Sequence, residues 1–470
     1  MPEPAAQTGA TSGAPRVLTR RGTELFMLVF AAVLVTFALL IVEISQEQTV
    51  TRDLFLYGAA FLVLFGVAHF AVRRWAPYAD PLILPLVALI NGIGLVMLHR
   101  LDLAEVYGGP FTGKQIMFSA IGVVLFVLVL AFIKDHRTLA QYGFTCGFVG
   151  IALLALPGLL PASISEANGA KLWIRFGPLG SIQPGEFAKI LLLIFFASFL
   201  VSKRELFTTA GKRFLGVDWP RPRDLMPVIA AWVLSIGILV LEKDLGSSLL
   251  FFGIVLVMLY IATERAVWVF LGLSLFALGA IIAFNLFDHV QARVNTWLDP
   301  LAEGAANDQL RTGLFGMANG GMFGSGLGSG RPYLTSWAAS DFIISAIGEE
   351  LGLVGLMAVL MMYLLLVMRG LRTSLAVRDS FGKLFAGGLA FTIVLQLFVV
   401  AGGVTGLIPM TGLTAPFLAA GGSSLLANYV LVALLLRISD AARRPQTPAK
   451  PKPKQAPIAE AHTELVERPR

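Results

Sequence analysis

The chain has 470 residues, of which 56% are hydrophobic and 14% are charged, and its formal net charge is +7. An ordinary soluble protein has roughly 25% charged residues, whereas here the charges lie in short clusters between apolar runs long enough to cross a bilayer as helices. This pattern excludes a soluble globular protein. The excess of lysine and arginine indicates cytoplasmic loops rather than nucleic-acid binding, and the single cysteine, Cys146, excludes an intrachain disulfide.

The predicted elements begin with a disordered basic tail at 1–24, which is rich in Ala, Gly, Thr and Pro. Twelve apolar runs follow and are predicted to be transmembrane helices: 25–46, 54–73, 81–98, 115–133, 143–160, 186–202, 225–241, 246–262, 266–286, 342–368, 382–402 and 412–436. The last segment, 439–470, is basic and rich in proline, so it is predicted to be disordered. We therefore expect an all-α polytopic membrane protein of about twelve helices.

The loops between these runs predict the orientation in the membrane. Loops rich in lysine and arginine, such as 203–224, alternate with poorer ones, and all the basic loops fall on one side if both termini are cytoplasmic. The segments 161–185, 242–246 and 287–341 then lie outside the cell. The last of these is the longest loop, and its aromatic residues argue against disorder, so we expect it to be functional.

Three carboxylates lie where the long loop enters the next apolar run. Asp341 falls at the first turn of the predicted helix, where it is either a helix N-cap or an active-site group. Glu349 and Glu350 lie about two turns deeper, and a carboxylate at that depth needs a polar cavity or a basic partner. The three together indicate a site at this membrane face without identifying its reaction.

Other polar groups suggest structural roles as readily as functional ones. Glu186 and Lys189 are three residues apart, so they either pair on one helix face or leave the lysine to bind an anion. Asp244 lies in a short charged turn, for which a solvated hairpin is the simpler interpretation. The glycine-rich run 324–330 has neither the preceding strand nor the GK[ST] sequence of a nucleotide-binding loop. The five histidines are scattered, and no metal site is predicted.

Taken in order, several short motifs make the sequence resemble the shape, elongation, division and sporulation (SEDS) family, which includes RodA- and FtsW-like proteins. The matching motifs are Lys171–Arg175, Gln183–Lys189, Asp244–Gly246, Arg293–Pro300, Ser340–Ile343, Gly348–Gly352, Gly406–Pro416 and Gly421–Ser424. Each motif is weak alone, but the ordered set is specific. The resemblance implies a ten-helix catalytic domain over 81–438, preceded by two additional helices at 25–80.

The resemblance also implies an activity. Proteins of this family polymerise lipid II into glycan strands at the outer face of the cytoplasmic membrane, and Asp341 matches their essential carboxylate. An ionised Asp341 would take the proton from the sugar 4-hydroxyl of lipid II as a general base. Lys189, Arg293 and Arg175, in that order, are the candidates to bind the departing undecaprenyl pyrophosphate.

The remaining implications concern supporting residues and partners. Polar support is expected from Glu186, Asp244, Glu349, Glu350, Ser423 and Ser424. The expected partners are lipid II, the nascent glycan strand, membrane lipids and a class B penicillin-binding protein, with no nucleic acid. No protein metal cage is visible, although a divalent cation, Mg²⁺ or Mn²⁺, remains compatible with a pyrophosphate leaving group.

Three alternatives remain open from the sequence. Charged residues inside broken, glycine-rich helices also suit a flippase or transporter of a lipid-linked precursor, but the loops place Asp341 at one membrane face rather than at the midplane. A scaffold that recruits a crosslinking enzyme would tolerate the loss of Asp341. Within the family, the short C-terminal tail and the extra helices favour a RodA-like role in elongation over an FtsW-like role in division.

Overall fold

The computed structural model describes residues 19–48, 52–106, 109–167, 170–177, 180–203, 212–214, 217–219, 222–302 and 304–445. Both predicted tails lie mostly outside this part of the chain. Helix extends a few residues into each of them, because the first helix begins at Arg21 and the last one ends at Arg443.

Helices make up most of the described chain. They are α1 Arg21–Ser45, α2 Arg52–Trp75, α3 Ile83–Asp102, α4 Phe111–Phe132, α5 Thr138–Gln141, α6 Gly143–Leu159, α7 Ala162–Ser165, α8 Pro184–Ser202, α9 Pro222–Leu241, α10 Leu245–Thr263, α11 Val267–Leu286, α12 Asp288–Leu298, α13 Ala305–Gly320, α14 Ile343–Ala376, α15 Ser380–Val404 and α16 Gly422–Arg443. The predicted all-α architecture is confirmed.

Ten of the described helices are long and apolar enough to cross a membrane. The other two predicted spans coincide with shorter apolar helices, α6 with 17 residues and the stretch Ile229–Leu241 of α9. A span of about 20 residues is needed to cross a hydrocarbon core without tilt or local thinning. The count of twelve therefore stays a prediction.

Short hairpins lie between some of the helices. The strands are β1 Glu166–Ala167, β2 Ala170–Lys171, β3 Ile174–Arg175, β4 Ser181–Ile182, β5 Lys212–Phe214 and β6 Val217–Trp219. They pair antiparallel as β1 with β2, β3 with β4, and β5 with β6. The long loop 287–341 has its own structure, since it contains α12, α13 and a 3₁₀ turn at Pro332–Leu334.

The centre of the bundle and its periphery differ sharply in burial. The most apolar window of α3 and that of α16 are each 83% buried inside the protein, whereas that of α11 is only 6% buried. An apolar helix with so little protein contact faces lipid. The polar residues of α3 and α16 therefore lie in the protein interior.

Helix α14 is broken near its start. Gly352 has φ 67° and ψ −173°, and at this break the backbone N–H groups of Leu353 and Val354 bond to the carbonyls of Gly321 and Met322. A Cβ on Gly352 would lie 2.6 Å from the carbonyl carbon of Phe323, so a larger residue would not fit. The break lets the chain after α13 pack directly against the first two turns of α14.

Candidate active site

Asp341 lies in the turn before α14, two residues ahead of the first helical residue. The residue at the cap position is Phe342, and no side chain caps the helix there. The turn is closed instead by backbone bonds to the carbonyl of Trp337, from Ser340 at 3.0 Å and from Phe342 at 3.2 Å. The N-cap interpretation is therefore wrong, and the carboxylate of Asp341 is available for another role.

Arg293 and Asp341 meet at the same short stretch of backbone. Arg293, on α12, donates from Nη1 to the carbonyls of Met410 at 3.3 Å and Thr411 at 3.0 Å. The carboxylate of Asp341 faces the next residue, Gly412, where a Cβ would lie 3.8 Å from Oδ2. Burial raises the pKa of Asp341 to about 6, while a hydrogen bond from Ser340 and the charge of Arg293 act against that rise.

Asp244 is the second acid in the field of Arg293. It caps α10, where its carboxylate accepts from the backbone N–H of Ser247 at 2.9 Å and from the Ser247 hydroxyl at 2.6 Å. Burial raises its pKa, and the negative charge of Glu186 raises it further. The hydrogen bonds from Ser247 and the charge of Arg293 act in the opposite direction. Asp244 is only 8% exposed, so the interpretation of this turn as a solvated hairpin is wrong.

Glu186 and Lys189 form the predicted pair on one face of α8. Lys189 Nζ lies 2.8 Å from Glu186 Oε2 and 3.1 Å from Gln396 Oε1. Gln396, on α15, also donates a hydrogen bond from its amide nitrogen to the carbonyl of Thr414 at 2.9 Å. The cation of Lys189 is thus neutralised and hydrogen-bonded within the protein, as a charge inside a membrane requires.

All of these groups surround one non-helical stretch, residues 405–421 between α15 and α16, which we call the central segment. Its carbonyls accept hydrogen bonds from six side chains on five helices, and the donors are Trp297, Arg293, Gln396, Tyr363, Asn91 and Gln115. Its Ala420 N–H donates to the carbonyl of Ala339 at 2.8 Å, which joins it to the turn of Asp341. Irregular backbone at membrane depth is tolerated where protein groups satisfy it in this way.

Glu349 and Glu350 support a different part of the structure. Glu349 accepts from the backbone N–H of Arg331 at 2.7 Å, and Glu350 accepts from the backbone N–H of Gly328 at 2.9 Å. Arg100, on α3, completes the arrangement by donating to Glu350 at 2.9 Å. The predicted need for a basic partner is confirmed for Glu350, and both acids fix the loop before Asp341.

The other predicted site residues have partners other than Asp341 in the described structure. The hydroxyl of Ser423 accepts from the backbone N–H of Gln183 at 2.9 Å, just before α8 begins, while Ser424 accepts from Asn428 within α16. Arg175 lies on β3 opposite Ser181, with an exposed side chain. In the described part of the chain, no hydrogen bond or ion pair joins Arg175 to Asp341 or Lys189.

Two residues that stabilise the site and the loop before it were missed from the sequence, Gln396 and Arg100. Each is a polar side chain in or beside an apolar run, which is costly in free energy unless it has a partner. That cost could have marked both residues in the sequence as having a buried polar partner. Their partners are far away in sequence, 207 residues for Lys189 with Gln396 and 250 for Arg100 with Glu350. Spacing along one helix therefore could not have paired them.

A divalent cation would find few ligands here. Among the residues that the structure describes, no three or more His, Cys, Asp or Glu side chains converge on one point. Mg²⁺ is commonly bound by one or two carboxylates together with phosphate oxygens of the substrate. The carboxylates of the described residues could serve only that limited role and do not form a complete protein site.

Comparison with known proteins identifies the family. Residues 80–444 match the model of the cell cycle proteins FtsW, RodA and SpoVE. A protein of Mycobacterium bovis named peptidoglycan glycosyltransferase RodA is 56% identical over 459 residues, which cover 97% of each chain. The chain belongs to this family. The ten long apolar helices among its described residues make it a multi-pass integral membrane protein.

More distant relatives match a shorter part of the chain. A probable peptidoglycan glycosyltransferase FtsW of Geobacter metallireducens is 32% identical over 77% of this chain and 94% of its own length. Two solved structures, each 26% identical, cover 78% of this chain. One is a peptidoglycan synthase complex that coordinates polymerization and crosslinking, with a TM-score of 0.62 over 99% of the matched chain. The other is Thermus thermophilus RodA, with a TM-score of 0.56 over 98%.

Proposed function

We propose that this chain is a peptidoglycan glycosyltransferase that polymerises lipid II, with Asp341 as its general base. The observation that carries the proposal is the carboxylate of Asp341, which caps no helix, has a pKa raised to about 6 and lies in the field of Arg293. Such a group is ionised at neutral pH and still basic enough to accept a proton in a transition state. The 56% identity to a relative with this activity supports the assignment.

In the proposed reaction, Asp341 removes the proton of the sugar 4-hydroxyl on lipid II. The hydroxyl oxygen forms a bond to the anomeric carbon of the growing strand while the bond from that carbon to the pyrophosphate oxygen breaks. The bonding electrons leave with undecaprenyl pyrophosphate, and the anomeric centre is inverted. Asp341 ends the step protonated and returns its proton to water when the products separate.

The pyrophosphate that leaves needs positive charge, and the geometry favours Arg293 over the other two candidates. Arg293 lies in the electrostatic range of Asp341 and Asp244. Lys189 Nζ is already occupied by Glu186 and Gln396, so it orders the interior instead. Arg175 stays a candidate for a more exposed part of the substrate, and a divalent cation bound to the pyrophosphate would supplement Arg293.

The deciding experiment compares the wild type with Asp341→Asn in polymerisation of fluorescent lipid II, with a class B penicillin-binding protein present. Asn preserves the shape and removes the base, so we expect glycan product to fall by roughly 10²-fold or more. Asp308→Asn, which makes the same change at a half-exposed carboxylate of the same loop, is the matched control. A fully active, folded Asp341→Asn would refute the assignment of the base.

A transporter remains the second candidate because of one feature, the charged pair Glu186–Lys189 inside α8. A flippase would move labelled lipid II between the leaflets of a vesicle and would not need Asp341. If flipping occurs without polymerisation, and Asp341→Asn leaves it unchanged, the transporter replaces the enzyme. A scaffold would show neither activity while still binding a penicillin-binding protein.

The partner, the biological role and the topology belong to the same proposal. We expect a class B penicillin-binding protein to co-purify with this chain, since a matched structure is a peptidoglycan synthase complex. A role in elongation is favoured, because the RodA relative is more similar than the FtsW relative. We further propose cytoplasmic termini, two added helices at 25–80, a catalytic domain at 81–438 and an extracellular loop at 287–341.

A further inference from the structure

The first two helices, α1 and α2, pack against the rest of the protein through polar contacts. We call them the N-terminal hairpin. The family model starts at residue 80, after this hairpin, whereas the mycobacterial relative matches over 97% of the chain. The hairpin is therefore an addition to the family domain, and its contacts indicate what it does there.

The end of α1 touches the glycine run, residues 324–330. Gln46 Nε2 donates to the carbonyl of Gly328 at 2.5 Å. Gly328 itself lies against α1, because a Cβ there would be 2.7 Å from the Cβ of Ser45 and 3.2 Å from the Cα of Val42. The contact is thus a close backbone approach reinforced by a hydrogen bond.

The same end of α1 is also attached to α3. Glu43 Oε1 lies 3.0 Å from His99 Nε2, and both side chains are buried. The next residue on α3, Arg100, donates to Glu350 at 2.9 Å and to the carbonyl of Gly330 at 2.7 Å. One turn of α1 therefore fixes the glycine run directly and also fixes the helix that holds the run from the other side.

From the glycine run, the chain leads to Asp341 in eleven residues. Tyr333 lies under the guanidinium of Arg100, at 5.7 Å from its ring centre, and Thr335 is tied to the carbonyl of Thr312 at 3.3 Å. The turn of Asp341 follows immediately. Any shift of the glycine run is therefore transmitted over a short and well-anchored stretch.

We propose that the N-terminal hairpin is a positioning element for Asp341, acting through the contact of α1 with the glycine run. This inference rests on the proposed function of Asp341. The residues concerned, Gln46, Ser45 and Glu43, do not touch the reacting groups. A misplacement of about 1 Å far from the chemistry can cost up to about 10²-fold in rate, so a modest loosening of the run would be measurable.

Two glycines of the run provide a matched test. Gly328 and Gly326 both have positive φ, +88° and +101°, so alanine strains both backbones. Only at Gly328 would the new Cβ meet α1; at Gly326 it would meet Ser329 at 3.4 Å. We expect Gly328→Ala to lower kcat about ten-fold more than Gly326→Ala, with little change in KM for lipid II.

Substitutions at Gln46 test the hydrogen bond without backbone strain. Gln46→Glu keeps the shape but cannot donate to a carbonyl, whereas Gln46→Lys keeps a donor. We expect Gln46→Glu to lower kcat and to speed amide hydrogen exchange in residues 321–342, and Gln46→Lys to restore both in part. Gln48→Ala, at an exposed position just after the helix, should change neither.

The outcomes separate this proposal from the proposed function. Equal kcat and equal exchange for Gly328→Ala and Gly326→Ala would overturn the positioning role, and so would faster exchange without any loss of kcat. If the wild type makes no polymer, the proposed function fails and the positioning role fails with it. Hydrogen exchange in that case still decides whether α1 holds the glycine run.

Discussion

At the scale of single residues, the balance of charge around Asp341 is the main determinant of the chemistry. Burial raises the pKa of this carboxyl group, and Arg293 lowers it. Burial lowers the pKa of Arg293, and the negative charges of Asp244 and Asp341 act against that decrease. The cation therefore has two functions in the proposed mechanism, to keep the base ionised and to attract the pyrophosphate.

The pH dependence of polymerisation should reflect this balance. A general base works in its ionised form, so the rate should fall as pH decreases through about 6, where Asp341 takes up its proton. In Arg293→Gln the cation is lost and the pKa of Asp341 rises, so the acid limb of the kcat profile should move to higher pH. The measurement is the pH at the midpoint of the acid limb, which can be compared between the variant and the wild type even though the variant has a lower maximum rate.

Arg311→Gln is the control for this prediction. Arg311 lies on α13 and pairs with Asp308 at 2.5 Å, away from the central segment. Its loss should leave the acid limb where it is in the wild type. An unmoved limb in Arg293→Gln would show that the charge of Arg293 does not act on Asp341.

Local spacing predicted some residue contacts and could not predict others. The i, i+3 spacing of Glu186 and Lys189 predicted a pair that the structure confirms, because positions three apart share a helix face. The role of Asp341 as a cap was wrong, because the helix begins two residues later. The burial of Asp244 was missed, because it depends on helices that pack around the turn.

At the scale of elements, α14 depends on the loop before it. Its first two turns contain Glu349 and Glu350, and the break at Gly352 admits the backbone of residues 321–326. The sequence predicted one continuous span at 342–368, since its hydropathy does not fall at Gly352. The break could not be predicted because its hydrogen-bonding partners lie about 30 residues earlier.

The buried pair of Arg100 and Glu350 should be important for the stability of this arrangement. Both side chains are almost fully buried, at 1% and 0% exposure. Arg100→Met leaves Glu350 buried without its basic partner, so the free energy of unfolding should fall by about 3–5 kcal/mol. The double variant Arg100→Met, Glu350→Gln removes the buried charge and keeps an acceptor for the N–H of Gly328, so it should recover part of that loss.

These values are measured as free energies of unfolding in one detergent. The control is the surface pair of Arg311 and Asp308, where Arg311→Met should cost at most about 1 kcal/mol. Equal losses for the two arginine variants would show that the contact between α3 and α14 adds no special stability. A double variant as unstable as Arg100→Met would indicate that packing, rather than charge, dominates.

At the scale of the whole molecule, hydropathy predicted the helical membrane architecture, and the ordered motifs predicted the family. The two helices before residue 80 were predicted as apolar runs, and the family resemblance implied that they are an addition to a ten-helix domain. The packing order of the helices was not predicted, because two of the most buried ones, α3 and α16, are no more apolar than the lipid-facing α11. Burial here follows polar contacts and shape rather than hydropathy.

The predicted topology can be tested with single cysteines. In a Cys146→Ser background, a membrane-impermeant maleimide added to intact cells should label Leu301→Cys, in the loop proposed to be extracellular. Ala376→Cys, at the opposite end of α14, should be labelled only after the cells are opened. Both positions are exposed. The reverse pattern would invert the orientation and remove Asp341 from the outer face.

The central segment also constrains how this protein can change over time. The carbonyls of Thr414 and Pro416 are each satisfied by a side chain from a different helix, Gln396 and Tyr363, so the loss of either donor leaves an unpaired polar group inside the membrane, at a cost of several kcal/mol. A second substitution, often on a different helix, would have to supply a new donor. We therefore expect accepted changes around residues 405–421 to occur in coordinated pairs, so that distant parts of the chain evolve together.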